Sequence, residues 1–144
     1  MTWKACEMAP IRVLLVDDHE VARRGIRSVL SSDANLDVVG ETADGEEAVK
    51  KAKELHPTIV LLDISLPGIS GIQAARQIRA VSPDSRIIFL SQHDSVSIAK
   101  DALSAGAQGY VVKSDAGLDL LTAIQAVHEG REFVSRTLIA RGWN

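Results

Sequence analysis

Short apolar runs recur along the chain at 11–16, 38–43, 59–63, 86–91 and 109–113. Between them lie longer segments whose apolar residues return every three or four positions, the period of a helix with one buried face. Val21, Ala22, Ile26, Val29 and Leu30 make the first stripe. Ala48, Ala52 and Leu55 make the second, after the acidic start at Asp44-Gly45-Glu46-Glu47. Ile72, Ala75 and Ile78 follow, then Ile98, Ala102 and Ala105, then Leu118, Leu121, Ile124 and Val127. Gly106 and Gly130 stand where helices should stop, and Pro57, Pro67 and Pro83 fall in connections. Strict alternation of strands and helices predicts a parallel sheet covered on both faces. The runs "VLLV", "IVLLD" and "RIIFL" are apolar throughout, as central strands are. "VVGETA" is more polar and "GYVVK" is short, so these suit the two edges. The prediction is an α/β fold with a doubly wound five-stranded parallel sheet in the order 2-1-3-4-5. Its crevice would open beyond the carboxyl ends of the first and third strands, where the strand order reverses.

Composition narrows the class. A chain of 144 residues suits one domain with a real core. No apolar run approaches the roughly 18 residues of a membrane span, and the N-terminus lacks a secretory pattern, so the expectation is a cytoplasmic protein with no membrane partner. A net charge of −3 offers no broad electrostatic footprint for nucleic acid. Cys6 is the only cysteine, which excludes an internal disulfide. His19, His56, His93 and His128 lack metal-ligand spacing; they read as surface or outer residues, with His93 near the rim of the crevice.

The strand ends carry the chemistry. The first run ends in Asp17-Asp18, the third in Asp63, the fourth in Ser91 and the fifth in Lys113. Neighbouring carboxylates repel and resist burial, so a positive partner is required. Lys113 is too small a countercharge for three carboxylates; a hard, oxygen-preferring cation such as Mg²⁺ would complete the balance. A carboxylate can attack phosphorus and form an acyl phosphate, while cation, lysine and hydroxyl neutralise the incoming anionic group. No Walker-type glycine loop and no histidine base accompany the set. The chain is equipped to accept a phosphoryl group from an activated donor, not to bind and cleave ATP. Each residue has a plainer reading. Asp17 can cap the following helix, but that explains one aspartate and not two. Lys113 alone would be a surface lysine, Ser91 an ordinary strand end and Tyr110 a core ring; only their convergence argues otherwise.

Over 11–130 the chain resembles the receiver domain of two-component response regulators. The resemblance rests on "VDDHE", "LLDISLPGISG", "IIFLSQHD" and "GAQGYVVKS", in order and at the ends of the right strands. "VDDHEVARRGIRSVL" and "GAQGYVVKSDAGLDLLTAI" look most like the NarL/FixJ (LuxR-type) class. It implies the flavodoxin-like receiver fold and a bacterial signalling switch that regulates transcription. Asp63 would be the phosphoacceptor, charged from a phosphohistidine on a sensor histidine kinase. Asp18 would bind Mg²⁺ directly, Asp17 directly or through water, with Asp63 and the Ser65 backbone carbonyl as further ligands. Ser91 would be the switch hydroxyl, Tyr110 the switch aromatic and Lys113 the phosphoryl-binding lysine. Such a domain catalyses only its own phosphorylation and dephosphorylation. Three departures stand out. Ser91 replaces the commoner threonine, Gln92 is bulkier than usual and should narrow access to Asp63, and Ser114 stands where many receivers carry proline.

Two other readings compete. A stand-alone receiver would act through protein contacts alone. An aspartate-dependent phosphohydrolase would need an acid two positions after the nucleophile, where this chain has Ser65, and a cap that these short loops do not supply. Residues 1–10 are expected to be a flexible extension, and 131–144 a C-terminal tail or the start of a linker to an absent DNA-binding domain, although "REFVSRTLIARGWN" is apolar for a solvated tail. In the last helix, Leu118, Leu121, Ile124 and His128 should face the sheet. Leu120, Ala123 and Val127 form a second line for a neighbouring helix or a partner. A homodimer through the first and last helices is expected, with Arg23, Arg24 and Arg27 facing Asp119 and Glu129 across a two-fold axis.

Overall fold

The computed structural model describes residues 9–144, so the expectation for the N-terminal extension falls mostly outside the described residues. Strands β1 (Ile11–Val16), β2 (Leu36–Thr42), β3 (Ile59–Leu62), β4 (Arg86–Ser91) and β5 (Gly109–Val112) alternate with helices. These are α1 (Glu20–Ser31), α2 (Gly45–Leu55), α3 (Gly71–Val81), α4 (Val96–Ser104) and α5 (Ala116–His128). A 3₁₀ turn, Lys113–Asp115, joins β5 to α5. A two-residue strand β6 (Phe133–Val134) and a short helix α6 (Arg136–Ala140) follow. Every strand pair is parallel and the order is β2-β1-β3-β4-β5-β6.

The period of two along the strands splits the core into two layers. Leu14, Val16, Val60, Leu62, Ile87, Phe89 and Tyr110 face one way, against small residues of α2, α3 and α4 such as Ala48, Ala75 and Ala102. Val13, Leu15, Ile59, Leu61, Ile88, Leu90 and Val111 face the other way, against Ile26 and Leu30 of α1 and Leu120, Ala123, Ile124 and Val127 of α5. Burial on both faces explains why these runs are apolar throughout. Local signals set the helix starts. The Asp44 side chain accepts a hydrogen bond from the Glu47 amide at 2.7 Å. Ser70 and Gln73 form a reciprocal capping box at the start of α3.

Two segments depart from expectation, the residues after α5 and α5 itself. The sheet has six strands rather than five, and β5 is not its edge. The added strand is two residues long, too short to show a period of its own. Residues expected as tail or linker are packed into the fold instead. The Phe133 amide donates to the Gln108 carbonyl at 3.1 Å and the Ser135 amide to the Tyr110 carbonyl at 3.0 Å. Asp119 accepts from the Arg136 amide and guanidinium, Asp115 accepts from the Thr137 amide and hydroxyl, and Leu138 is fully buried.

The orientation of α5 is the second correction. Leu120, Ala123, Ile124 and Val127 are the buried line, while Leu118 is 68 % exposed and His128 lies at the surface. The second line, expected against a neighbouring helix or a partner, therefore lies in the core with residues of α1. The charges expected across a dimer axis have partners within the chain. Arg23 and Arg27 pair with Glu41, Arg24 with Glu20, Asp119 with Arg136 and Glu129 with Arg131.

Candidate functional site

Sheet register brings the acidic residues together. Val16 of β1 lies beside Leu62 of β3, so Asp17 and Asp63 leave the sheet as neighbours. The Asp63 amide donates to the Val16 carbonyl at 3.0 Å, and the Asp17 amide to the Thr42 carbonyl of β2 at 3.1 Å. These bonds extend the ladder one residue beyond the strands and aim both carboxylates into the crevice. Asp17 is 1 % exposed and Asp63 3 %, burial that isolated carboxylates would not tolerate. The Lys113 ammonium resolves it, lying 2.6 Å from Asp17 Oδ2 and 2.9 Å from Asp63 Oδ2. Burial works against the charged ammonium, but the neighbouring Asp17 and Asp63 carboxylates outweigh it and raise the Lys113 pKa above its ordinary value.

One ammonium does not fully satisfy the acidic pair. The buried Asp17 Oδ2 meets the ammonium as an ion pair but has no well-directed hydrogen-bond donor. Asp18 reaches the same space from the surface, and the ligand atoms of Asp17, Asp18, His19 and Asp63 all lie within 4.8 Å of one another. An under-satisfied buried carboxylate oxygen among several hard oxygen donors fits Mg²⁺. His19, read from sequence as a surface residue, has its Nδ1 3.0 Å from Asp18 Oδ1. Its position directly after the aspartate pair was the available signal. The Ser65 amide donates to Asp63 Oδ1 at 3.3 Å, which fixes the Asp63 side chain to its own loop. Gly71 fixes that loop in turn. Its amide donates to the Ile64 carbonyl at 2.7 Å, and a Cβ there would sit 1.9 Å from the Asp63 carbonyl oxygen.

Ser91 is fully buried at the end of β4, and its hydroxyl accepts from the His93 amide at 3.2 Å. The Tyr110 ring is also fully buried, and its hydroxyl donates to the His93 carbonyl at 2.8 Å. His93 thus holds both residues expected to switch. Its Nε2 also lies 3.0 Å from Ser65 Oγ, bridging the loops after β3 and β4. Gln92, expected to narrow the entrance, is exposed; His93 is the residue that spans it. Burial above all pushes the Tyr110 phenol up to about 12, the Ser91 hydroxyl opposes this, and the Asp63 and Asp94 carboxylates add to it.

Comparison with known proteins gives this geometry a family. The family model described as "Response regulator receiver domain" matches residues 13–125. The response regulator UvrY of Escherichia coli (strain K12) is 40 % identical over 125 residues, covering 87 % of this chain and 57 % of UvrY. The DNA-binding transcriptional activator DevR/DosR of Mycobacterium tuberculosis is 39 % identical over 130 residues, covering 90 % of this chain and 60 % of that protein. The chain thus spans less than two thirds of these relatives. A crystal structure of a LuxR-family two-component response regulator from Aurantimonas sp. SI85-9A1 superposes with a TM-score of 0.87 at 38 % identity, covering 92 % of this chain and 94 % of that one. With that fold and those strand ends, the chain belongs to the response regulator receiver domains of bacterial two-component systems, in their NarL/FixJ (LuxR-type) class.

Proposed function

We propose that the chain is a phosphorylation-dependent switch whose acceptor is Asp63. The observation that carries this reading is the Lys113 ammonium held between the buried carboxylates of Asp17 and Asp63 at the switch point of the sheet. An Asp63 carboxylate oxygen attacks the phosphorus of a phosphohistidine on a sensor histidine kinase. The P–N bond breaks and the imidazole leaves with the electron pair and takes up a proton. Lys113 and the Ser91 hydroxyl offset the charge on the transferred oxygens. Asp18 and Asp63, Asp17 directly or through water, and the Ser65 carbonyl would hold Mg²⁺. That ion supplies the remaining positive charge for an anionic group approaching an anionic site. The chain catalyses only its own phosphorylation and dephosphorylation. Residues 11–130 form the switching unit, and 131–144 pack against it as its C-terminal segment.

Output follows the same reading. A cytoplasmic regulator of this class acts on DNA through a domain outside this sequence, in keeping with the DNA-binding transcriptional activator DevR/DosR among its relatives. A specific observation favours self-association through α1 and α5. Val21 of α1 is 78 % exposed and Leu118 of α5 68 %, and a shallow cleft of about 180 Å³ is lined by Ala22, Gly25, Ile26 and Val29 of α1 with Lys113 and Ala116. A stand-alone receiver acting through protein contacts would use the same switch and the same surface. The phosphohydrolase reading has Ser65 in place of an acid and is set aside.

Intact mass spectrometry after treatment with an acyl phosphate and Mg²⁺ tests the acceptor. Wild type should gain one phosphoryl group and Asp63→Ala none. A gain that survives the substitution removes Asp63 from the role.

A further inference from the structure

Lys113 holds the Asp17 carboxylate of the loop between β1 and α1, and a second side chain, Arg23, ties the loop's main chain to the rest of the molecule. Its guanidinium donates through Nη1 to the Asp17 backbone carbonyl and pairs through Nε with Glu41 Oε1 at 3.3 Å. Glu41 lies on β2 immediately before Thr42, whose carbonyl accepts the Asp17 amide at 3.1 Å. Both main-chain polar groups of Asp17 are therefore referred to two adjacent residues of one strand, the amide directly and the carbonyl through the arginine. The Asp17 carbonyl belongs to the same planar peptide unit as the Asp18 amide. Fixing it fixes the direction in which the backbone, and with it the Asp18 side chain, enters the crevice. Among the described residues no other side chain bonds to the Asp17 carbonyl, while the Asp17 carboxylate accepts from the His19 amide at 2.9 Å within the loop itself. His19 is the N-cap of α1 but makes no side-chain cap bond, so the loop lacks the usual device for setting a helix entry. The arginine is only 19 % exposed and Glu41 26 %, so the pair is sheltered from solvent far more than Arg24–Glu20, at 64 % and 68 %.

We propose that Arg23, braced by Glu41, is a positioning residue for the cation site, holding the Asp17–Asp18 peptide so that both carboxylates converge on one ion. This rests on the Mg²⁺ reading above. The proposal has a sign that plain electrostatics does not share. Removing a nearby positive charge from an acidic site raises its affinity for a cation. Removing a support of the ligands lowers it, by about 10–100-fold for residues that orient metal ligands. Arg27 provides the control. It pairs with the other Glu41 oxygen at 3.1 Å and carries the same charge, but makes no contact with Asp17.

The test is an Mg²⁺ titration of the folded protein followed by amide chemical shifts, with wild type, Arg23→Ala and Arg27→Ala in parallel. Arg23→Ala should bind about tenfold more weakly, and Arg27→Ala as tightly as wild type or tighter. Under an acyl phosphate, the Mg²⁺ concentration for half-maximal phosphorylation of Asp63 should shift by the same factor, with the rate at saturating Mg²⁺ within about twofold of wild type. Should Arg23→Ala fail to fold, Arg23→Lys carries the test. It keeps the charge but loses the planar fork that reaches Asp17 and Glu41 together, and should also bind Mg²⁺ more weakly. Unchanged or tighter binding in the folded Arg23 variant, or equal weakening in Arg27→Ala, overturns the proposal. Absence of Mg²⁺ binding by wild type is a separate result: it removes the cation reading itself, and the positioning role with it.

Discussion

At the scale of the residue, the site is a problem of charge in a poorly solvated place. Asp17 and Asp63 are each almost fully buried, and the fold tolerates both because one ammonium reaches the two of them. The raised Lys113 pKa records the same pairing from the other side. That stabilisation is fully present below the ordinary lysine value of 10.5 and is lost as pH rises through the higher folded value. Tyr110 gives a cleaner readout, because it is the only tyrosine in the chain. Burial pushes its phenol from 10.0 to about 12, so the folded state favours the neutral form. The linked stability is intact below 10.0 and declines as pH rises through about 12. Ultraviolet titration of the folded protein should show phenolate appearing near 12, with circular dichroism recorded in parallel to report the fold. Ionisation near 10 while the fold persists would mean that the ring is not held inside with its hydroxyl on His93.

At the scale of the element, the segment after α5 is the main departure from expectation. Its sequence is too apolar for a solvated tail, yet its period is unreadable because β6 has two residues and α6 five. Nothing local makes so short a helix stable. Tertiary bonds do it. The Asp115 carboxyl is disfavoured by burial, but its bonds from the Thr137 hydroxyl and amide outweigh this and lower its pKa below the ordinary 3.8. That contribution is present above 3.8 and is lost as pH falls through the lower folded value. Leu138 supplies the apolar anchor. Leu138→Ala should cost about 2 kcal/mol in urea unfolding, the low end for a buried leucine. A midpoint unchanged from wild type would show the segment to be detached from the cooperative unit. In α5 the helix was legible but not its rotation. Leu118 and Leu121 satisfy a helical period as well as Leu120 and Val127 do. Only the position of the sheet selects the second pair, leaving Leu118 in solvent.

At the scale of the whole molecule, that rotation moves the proposed self-association surface. Leu120 is fully buried, so a charge there would disrupt the core instead of testing an interface. Leu118 and Val21 are the exposed apolar residues of α5 and α1. Sedimentation of the Asp63-phosphorylated chain should show dimer for wild type and monomer for Leu118→Glu, with both variants equally folded. Equal sedimentation of the two proteins as monomers at high concentration, or as dimers, would leave this face without the role. The ion pairs expected across the axis do not supply its specificity, because Arg23 and Asp119 already have partners within the chain.

The sequence by itself determined the alternating α/β order, the five principal strands and the residues that end them. Continuous apolar runs mark strands buried on both faces, and a carboxylate at the end of such a run has few places to go in a parallel sheet. It also carried the family, through four motifs in fixed order. Tertiary structure alone decided what depends on distance between segments far apart in the chain. Lys113 stands fifty residues beyond Asp63 yet bonds to it, and His93 joins Ser65 across the entrance twenty-eight residues away. The rotation of α5, the sixth strand and the bracing of Asp17 by Arg23 and Glu41 belong to the same group. A helical period shows that a face exists, and a charge shows that a partner is needed. Which face is buried and which partner is reached are set by the packing of the sheet against its helices.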